Sequence, residues 1–195
     1  MKIGAVILAA GVAKRFGTDK RLQPLGQNTV ATTTLSNYAG IFDTIRLVVR
    51  SDTDPLLTIL NDHLVQFEPI FAADADKGMG HSLSAGFNNL QWDYAFLALA
   101  DMPFLKSESL ECLINSAKKK PEEIIRPTYH TKPGHPVGFP AHLFDKILST
   151  RGDTGARDVL RAYNQIVNDI EIDDPGVLLD IDTPEDLRQA SANFS

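Results

Sequence analysis

One apolar run constrains the fold of this chain more than any other feature of its sequence. Residues 94–100 read YAFLALA, and their only polar side-chain group is the tyrosine hydroxyl. A strand this apolar must be covered on both faces, which is typical of central strands in a parallel sheet flanked by helices. Similar runs at 3–8, 44–49 and 65–71 alternate with amphipathic stretches. The pattern predicts an α/β fold in three layers, with a mostly parallel central sheet between two layers of helices.

The stretches between the predicted strands have the patterns of helices. Ser107 is the predicted N-cap of one of them, because Glu108 and Glu111 follow it in the first turn, where the helix dipole favours negative charge. Pro121 ends the same helix. The predicted helices span residues 29–38, 54–60, 82–90, 107–118, 141–149, 154–163 and 184–192.

The second half of the chain is less regular than the first. Residues 124–127 and 135–139 are predicted as short strands, and we expect an irregular insertion between about 120 and 155 that covers the active site. No stretch of Pro, Gly or Ser is long enough to be a linker between domains. The chain has 195 residues, and one domain usually takes about 100 to 200. We therefore expect a single domain over residues 1–195.

The amino-acid composition limits the kinds of partner and compartment that we expect for this protein. Lys and Arg number 19 against 25 Asp and Glu, giving a net charge of −6, so a broad basic surface for nucleic acid is not expected and any phosphate must be bound locally. A single cysteine, Cys112, excludes a disulfide framework and a Cys-rich zinc module, and it fits a reducing, cytoplasmic compartment. The apolar run 3–10 is too short to span a membrane. It leads into a basic, glycine-containing loop rather than a cleavage site, so we interpret it as a buried strand.

The loop at residues 8–20, LAAGVAKRFGTDK, is the first candidate binding site. It leaves the carboxyl end of the first predicted strand, which is the edge where open α/β sheets bind ligands. Gly11 and Gly17 allow backbone N–H groups to approach an anion, and Arg15 and Lys20 can neutralise a triphosphate. The loop matches neither the phosphate-binding loop of P-loop NTPases nor the dinucleotide-binding turn. An ordinary loop with solvated charges remains the alternative.

Carboxylates follow two other apolar stretches. Asp101 comes directly after the 94–100 run, and Asp180 and Asp182 follow the apolar residues 177–179. Magnesium prefers one or two protein carboxylates and takes its other ligands from phosphate oxygens and water. Two structural alternatives stay open, because Asp101 could cap the turn before the next proline and Asp182 could be the N-cap of the last helix.

Two glycines, Gly78 and Gly80, precede the helix predicted to begin near Ser82. Free N–H groups at a helix start suit a phosphate or the edge of a base, although a flexible turn explains the glycines equally well. The segments PGHPVG at 133–138 and GDTGAR at 152–157 also have backbone freedom and carry ionisable groups. A structural histidine is the simpler interpretation of the imidazole in the first segment. The aromatic residues assigned to packing are Trp92, Phe139 and Phe144.

Taken together and in order, these segments resemble the MobA-like nucleotidyltransferases, and within them the MocA type, which are cytidylyltransferases of the molybdenum cofactor. The resemblance covers nearly the whole chain. Six segments carry it: LAAG-x3-R-F-G-x2-K at 8–20, GMGHSL at 78–83, LADMP at 99–103, GHPV at 134–137, GDTGAR at 152–157 and DIDTPEDL at 180–187.

The resemblance implies a Rossmann-like, GT-A-like nucleotidyltransferase fold and a reaction. The reaction is the transfer of CMP from CTP to molybdopterin, which forms molybdopterin cytosine dinucleotide and pyrophosphate with Mg2+. Residues from 1 to about 105 would then bind the nucleotide, and residues from about 106 to 195 the acceptor. The product would be delivered to a molybdoenzyme of the xanthine dehydrogenase type. Neither a nucleic acid nor a membrane is an expected partner.

The same resemblance assigns roles to individual residues. Lys20 and Arg15 would hold the triphosphate and stabilise charge on the leaving pyrophosphate, so together with Asp101 they are the expected catalytic residues. Asp101 would hold magnesium with Asp182 or Asp180. The implied nucleotide-binding residues are Leu8, Ala9, Ala10, Gly11, Arg15, Lys20, Gly78, Gly80, Ser82 and Asp101, and the implied acceptor-binding residues are His135, Asp153 and Arg157.

The choice of base depends on one position in the first loop. In the family, alanine at position 10 accompanies cytidylyl transfer, whereas a second glycine there accompanies guanylyl transfer. Ala13 departs from the family, which usually has serine at that position. Three alternatives remain: a relative that uses GTP, a nucleotidyltransferase that acts on a sugar phosphate, and a non-catalytic chaperone of the molybdenum cofactor.

Overall fold

The computed structural model of the protein describes residues 1–11, 16–62, 65–150, 152 and 155–193. Within those residues, no helix combines the length and the apolar character that a membrane span requires. The strands are β1 (Ile3–Leu8), β2 (Pro24–Leu25), β3 (Asn28–Thr29), β4 (Thr44–Val49), β5 (Glu68–Phe71), β6 (Tyr94–Leu99), β7 (Ile124–Tyr129), β8 (Lys132–Pro133), β9 (Val137–Pro140) and β10 (Val167–Glu171). The α-helices are α1 (Val30–Tyr38), α2 (Pro55–Asp62), α3 (Met79–Phe87), α4 (Ser107–Lys119), α5 (Phe144–Leu148), α6 (Arg157–Ala162) and α7 (Pro184–Asn193).

The central sheet has the order β10-β7-β9-β6-β1-β4-β5, and β8 pairs with β7 outside that path. All neighbouring pairs along the path are parallel except those that involve β9, which runs antiparallel to β6 and β7. Leu8 pairs with Leu99 of β6 and with Val48 of β4. The carboxyl ends of these three central strands therefore lie side by side at one edge, and the predicted fold class is confirmed.

Alternation along β1 divides the core into two layers. Ala5 and Ile7 belong to the cluster that includes residues of α1, α2 and α4, whereas Val6 and Leu8 belong to the cluster that includes residues of α3 and α5. A Cβ at Gly86 of α3 would lie 2.5 Å from a methyl carbon of Val6, so glycine allows this helix to pack closely on the sheet. Three aromatic residues assigned to packing are buried in the second cluster, as expected: Trp92, Phe139 and Phe144.

The helix starts at α3 and α4 differ from their predictions. Helix α3 begins at Met79, three residues before Ser82, because Gly78 adopts a positive φ of 123° and is the N-cap. Ser107 lies within the first turn of α4 and does not cap it. Instead the Asp174 carboxylate accepts hydrogen bonds from the backbone N–H of Lys106 and the hydroxyl of Ser109.

The irregular insertion predicted between 120 and 155 is wrong. Residues 124–129 and 137–140 form β7 and β9 inside the central sheet, and β10 was not predicted at all. Helix α6 also begins three residues later than predicted, at Arg157. The short strands predicted at 124–127 and 135–139 are present as β7 and β9 with shifted bounds, whereas β10 was missed because it carries polar residues on an edge of the sheet.

Candidate functional site

Three segments with candidate site residues meet at the carboxyl edge of the sheet. The backbone N–H of Ala9 donates to Val48 O at 2.8 Å, and the N–H of Ala100 donates to Leu8 O at 3.0 Å. These bonds hold the segments after β1 and β6 side by side. The N–H of Ile181 donates to Asp101 O at 2.9 Å, which brings the carboxylates of the last segment to the same edge.

Lys20 lies between two carboxylates at this edge. Its Nζ is 2.6 Å from Asp101 Oδ2 and 2.7 Å from Asp182 Oδ1, and its side chain is 16% exposed. Burial alone lowers the pKa of Lys20, but Asp101 and Asp182 outweigh that effect and raise the pKa above its usual value. The ammonium is therefore charged at any physiological pH. This cluster, Lys20 with Asp101 and Asp182, is called the ion cluster below.

The ion cluster has more negative than positive charge. Asp101 Oδ1 is buried and has no hydrogen-bond partner among the described residues. Partial burial, together with the carboxylates of Asp101 and Asp182, raises the pKa of the neighbouring Asp180. An orphaned carboxylate oxygen beside two more carboxylates fits a hard divalent cation such as Mg2+. Over the described ranges, no three His, Cys, Asp or Glu residues form a complete ligand set, so water and phosphate would have to complete it.

The two structural alternatives for these carboxylates are wrong. Thr183, and not Asp182, caps α7: its hydroxyl accepts a hydrogen bond from the N–H of Asp186, whose carboxylate in turn accepts from the N–H groups of Asp182 and Thr183. The Asp182 side chain is left to pair with Lys20. In the described structure, the Asp101 side chain bonds no backbone group of the turn before Pro103 but pairs with Lys20 as well.

A further basic residue, directly after the first loop, was missed by the sequence analysis. The guanidinium of Arg21 donates to Ala9 O at 2.6 Å and to Asp54 Oδ2 at 2.9 Å, and it bonds both carboxylate oxygens of Asp19. Its side chain is 12% exposed. Arg50 donates similarly to Ala10 O at 2.8 Å. Two guanidinium groups therefore hold the backbone where the loop leaves β1, and they fix the segment that carries Lys20.

Replacing Arg21 with methionine is expected to lower the free energy of unfolding by about 3 kcal/mol, because the Asp54 carboxylate, only 4% exposed, would lose its charged partner. Urea denaturation followed by circular dichroism measures the loss. Arg188→Met is the matched control, since Arg188 makes an exposed ion pair with Glu185 and its removal should cost less than about 1 kcal/mol. Equal losses in the two variants would contradict the role given to Arg21.

The glycine segment before α3 is bonded within the protein. The N–H of Gly80 donates to Gly152 O at 2.8 Å, and the N–H of His81 donates to Gly78 O. The Gly80 N–H is therefore already bonded in this conformation, and the assignment of Gly80 to the nucleotide stays a prediction. The same bond places Gly80 beside Gly152, and a Cβ at Gly155 would lie 3.1 Å from the sulfur of Met79. Ser82 is buried at this junction.

His135 lies next to the ion cluster on the β9 side. Its backbone N–H donates to Val177 O at 2.8 Å, its ring is hydrogen-bonded to the backbone of Leu97, and its Nδ1 is buried with no partner in the part of the chain that is described. Arg157 and Asp101 are both close enough to act on its charge. Of the other predicted site residues, Arg15 and Asp153 lie outside the described residues.

The imidazole of His135 is expected to be neutral at pH 7. Burial lowers its pKa below the usual 6.5, and this effect exceeds the opposing ones of the Leu97 backbone and Asp101. A group whose folded-state pKa is depressed stabilises the fold above its unfolded pKa, so this contribution is complete above about pH 6.5 and is lost below it, as the pH falls through the folded-state pKa. NMR titration of the ring carbon and nitrogen signals measures the pKa directly. A midpoint at or above 6.5 would contradict the expectation.

Comparisons with known proteins agree with this geometry. The model of the MobA-like NTP transferase domain matches residues 5–167. The chain is 30% identical to the purine catabolism protein PucB of Bacillus subtilis, over 93% of this chain and 92% of that protein. It is 24% identical to the molybdenum cofactor cytidylyltransferase of Escherichia coli, over 99% of this chain and 97% of that protein.

A solved structure has the same fold over nearly the whole chain. It is the crystal structure of the Mycobacterium tuberculosis rv0371c homolog from Mycobacterium sp. strain JC1, with a TM-score of 0.83 and 26% sequence identity. The alignment covers 98% of this chain and 96% of that chain. Because the family model matches most of the sequence, this chain belongs to the MobA-like NTP transferase family.

Proposed function

We propose that this nucleotidyltransferase transfers CMP from CTP to the terminal phosphate of molybdopterin, forming molybdopterin cytosine dinucleotide and pyrophosphate. The observation that carries the proposal is the ion cluster at the carboxyl edge of β1 and β6, with Lys20 Nζ 2.6 Å from Asp101. A lysine and two carboxylates beside a glycine-containing loop supply charge of both signs for a triphosphate and its cation. The reaction is expected to take place in the cytoplasm.

Each residue of the ion cluster has a part in this reaction. Lys20, with Arg15, would neutralise the triphosphate and stabilise the pyrophosphate as it leaves. Asp101 and Asp182 would hold Mg2+, which when bound supplies Lewis-acid charge neutralisation at the phosphates. Asp182 is favoured over Asp180 as the second ligand, because it shares Lys20 with Asp101.

The bond changes require no covalent intermediate with the protein. A phosphate oxygen of molybdopterin forms a bond to the α-phosphorus of CTP, and the bond from that phosphorus to the bridging α,β-oxygen breaks as pyrophosphate leaves in line. The attacking oxygen already carries negative charge, so no strong protein base is needed. The protein contributes positioning and charge, which account for most of the catalysis of phosphoryl transfer.

Two grounds support CTP as the donor: the residue at position 10 and the names of the relatives. Ala10 is buried directly after β1, in the LAAG sequence that accompanies cytidylyl transfer. The E. coli relative is named as a cytidylyltransferase of the molybdenum cofactor. The name of the B. subtilis relative, a purine catabolism protein, is compatible with delivery of the product to an enzyme of the xanthine dehydrogenase type. His135 and Arg157 are proposed to contact the acceptor.

Release of pyrophosphate, measured with each of the four NTPs and with Mg2+, tests the proposal. Molybdenum-loaded molybdopterin and a panel of sugar 1-phosphates serve as acceptors. CTP with molybdopterin is expected to give turnover, and the sugar phosphates none. If only GTP supports turnover, the donor is GTP and not CTP. If only a sugar phosphate supports turnover, the acceptor is a sugar phosphate and not molybdopterin. No turnover with any pair would overturn the proposal.

A chaperone of the cofactor, the alternative from another class, differs in its nucleotide binding. It would bind molybdopterin but no NTP with Mg2+. An NTP at 100 times its dissociation constant stabilises the fold of an enzyme that binds it by about 2.7 kcal/mol, which thermal denaturation detects. Stabilisation selective for CTP is therefore expected, and stabilisation by molybdopterin alone would favour the chaperone.

A further inference from the structure

Lys20 has two sets of anionic partners and cannot satisfy both at once. Its ammonium contacts Asp101 and Asp182, and the proposed function, on which this inference rests, also assigns it to the triphosphate. We propose that Lys20 is an internal cation that excludes the divalent metal from these carboxylates until a nucleotide triphosphate draws the ammonium away. The metal then binds together with the nucleotide and only weakly before it.

The distances make the competition direct. Lys20 Nζ is 2.6 Å from Asp101 Oδ2, and Mg2+ binds carboxylate oxygens at about 2.1 Å, so a metal on that same oxygen would lie at most about 4.7 Å from the ammonium. Lys20 Nζ is 2.7 Å from Asp182 Oδ1, so a metal on that oxygen would lie at most about 4.8 Å from the ammonium. Two positive charges this close, in a partly buried site, repel each other strongly.

Lys20 occupies one oxygen of each of these two carboxylates while it is in place. Asp101 Oδ1 is buried and has no partner among the described residues, so it is the remaining acceptor on that side chain. The backbone of Asp182 is held by its N–H bond to Asp186. A metal that arrives alone therefore meets the ammonium at both Asp101 and Asp182, whereas a metal that arrives on a triphosphate brings phosphate ligands with it.

The backbone of Lys20 is fixed by its neighbours, whereas its side chain can move. Arg21 and Asp19, its neighbours in the chain, are bonded to each other, and Arg21 is further bonded to Ala9 and Asp54. The backbone at position 20 is thus held at the edge of the sheet. The lysine side chain is a flexible four-carbon stem with a compact charge, so the ammonium can change partners without movement of the loop.

Binding of Mn2+, a spectroscopic probe for the divalent site, tests the proposal without any turnover. The full chain, freed of metal with a chelator, is titrated with Mn2+ and free ion is followed by electron paramagnetic resonance. Without nucleotide, Lys20→Met is expected to bind Mn2+ about tenfold more tightly than the wild type. The titration is repeated with α,β-methylene CTP, which cannot release pyrophosphate. The Mn2+ affinity of the wild type should then rise at least tenfold, whereas the Mn2+ affinity of the variant should rise much less.

Three further variants keep the test specific. Lys20→Arg retains the positive charge and should leave Mn2+ binding weak, and Lys132→Met removes an exposed lysine on β8 and should change nothing. Adding Asp101→Asn to Lys20→Met should abolish the gain. If Lys20→Met binds Mn2+ no more tightly than the wild type without nucleotide, the proposal is overturned. Lys20→Met could bind Mn2+ more tightly while the wild type turns over no NTP. That result would support this inference and would reject only the proposed function.

Discussion

Asp101→Asn is expected to lower the rate of pyrophosphate release about a thousandfold. The substitution keeps the shape of the side chain but removes the charge of the residue that has both an orphaned oxygen and a contact to Lys20. Loss of a metal ligand forfeits several kcal/mol of charge stabilisation in the transition state, and about 4 kcal/mol corresponds to three orders of magnitude in rate. Steady-state kinetics at saturating CTP and Mg2+ measures the effect.

The matched control for this substitution is Asp169→Asn. Asp169 forms an exposed ion pair with Arg126 on the edge strands β10 and β7, so its loss should leave the rate within about twofold. Thermal denaturation of both variants separates a loss of catalysis from a loss of folding. An Asp101→Asn protein that folds and retains a tenth of the wild-type rate would contradict the assignment of this carboxylate.

Lys20→Met is expected to lower kcat at least a hundredfold. The ammonium is the charged donor at the edge of the sheet that the proposed function places on the triphosphate, and removal of one such donor costs about 2.7–4 kcal/mol in the transition state. The loss should appear mainly in kcat, because charge on the pyrophosphate develops as it leaves. Kinetics over a range of CTP concentrations separates kcat from KM.

Lys132→Met again serves as the control, because it removes the same charge from an exposed strand. The tighter Mn2+ binding expected for Lys20→Met gives the variant a second signature: it should hold metal better and react more slowly. A variant whose only change is a raised KM would show that Lys20 contributes uniform binding rather than stabilisation of the leaving group.

The central part of the fold and the location of the site were predictable from the sequence. Strands β1 and β6 are apolar runs, β4 is apolar except for Thr44 and Arg46, and a run that is buried on both faces belongs in the middle of a parallel sheet. Once these strands are parallel, the residues that follow them must share an edge. The meeting of Asp101 with Lys20 therefore follows from the strand pattern together with the basic loop.

The second half of the sheet was not predictable in the same way. Strand β9 runs antiparallel and inserts between β6 and β7, which arises from tertiary pairing and not from a local pattern. A Cβ at Gly138 would lie 2.6 Å from the ring of Tyr94, so this glycine serves close packing on β6, a contact that the predicted short strand at 135–139 does not reveal.

The hydrogen-bond partners of charged and polar groups were also not predictable from the sequence. Arg21 follows Lys20 in the chain, yet it turns inward to Asp54 and the Ala9 carbonyl, 33 and 12 residues away along the chain. The Gly80 N–H, at the start of α3, is bonded to Gly152. Both contacts join segments that are distant in sequence, so composition and spacing carry no signal for them. Asp54, the first residue of the predicted helix 54–60, also caps α2, because its Oδ1 accepts a hydrogen bond from the N–H of Leu56.

Transfer of radioactive label from CTP tests the proposed reaction most directly. The wild-type protein is incubated with Mg2+, molybdenum-loaded molybdopterin and CTP labelled at the α-phosphorus, and the products are separated by chromatography. The α-label is predicted to appear in a molybdopterin cytosine dinucleotide, while label from γ-labelled CTP appears in pyrophosphate. Retention of the α-label in CTP, or its release as free CMP with the pterin unchanged, would contradict nucleotidyl transfer to this acceptor.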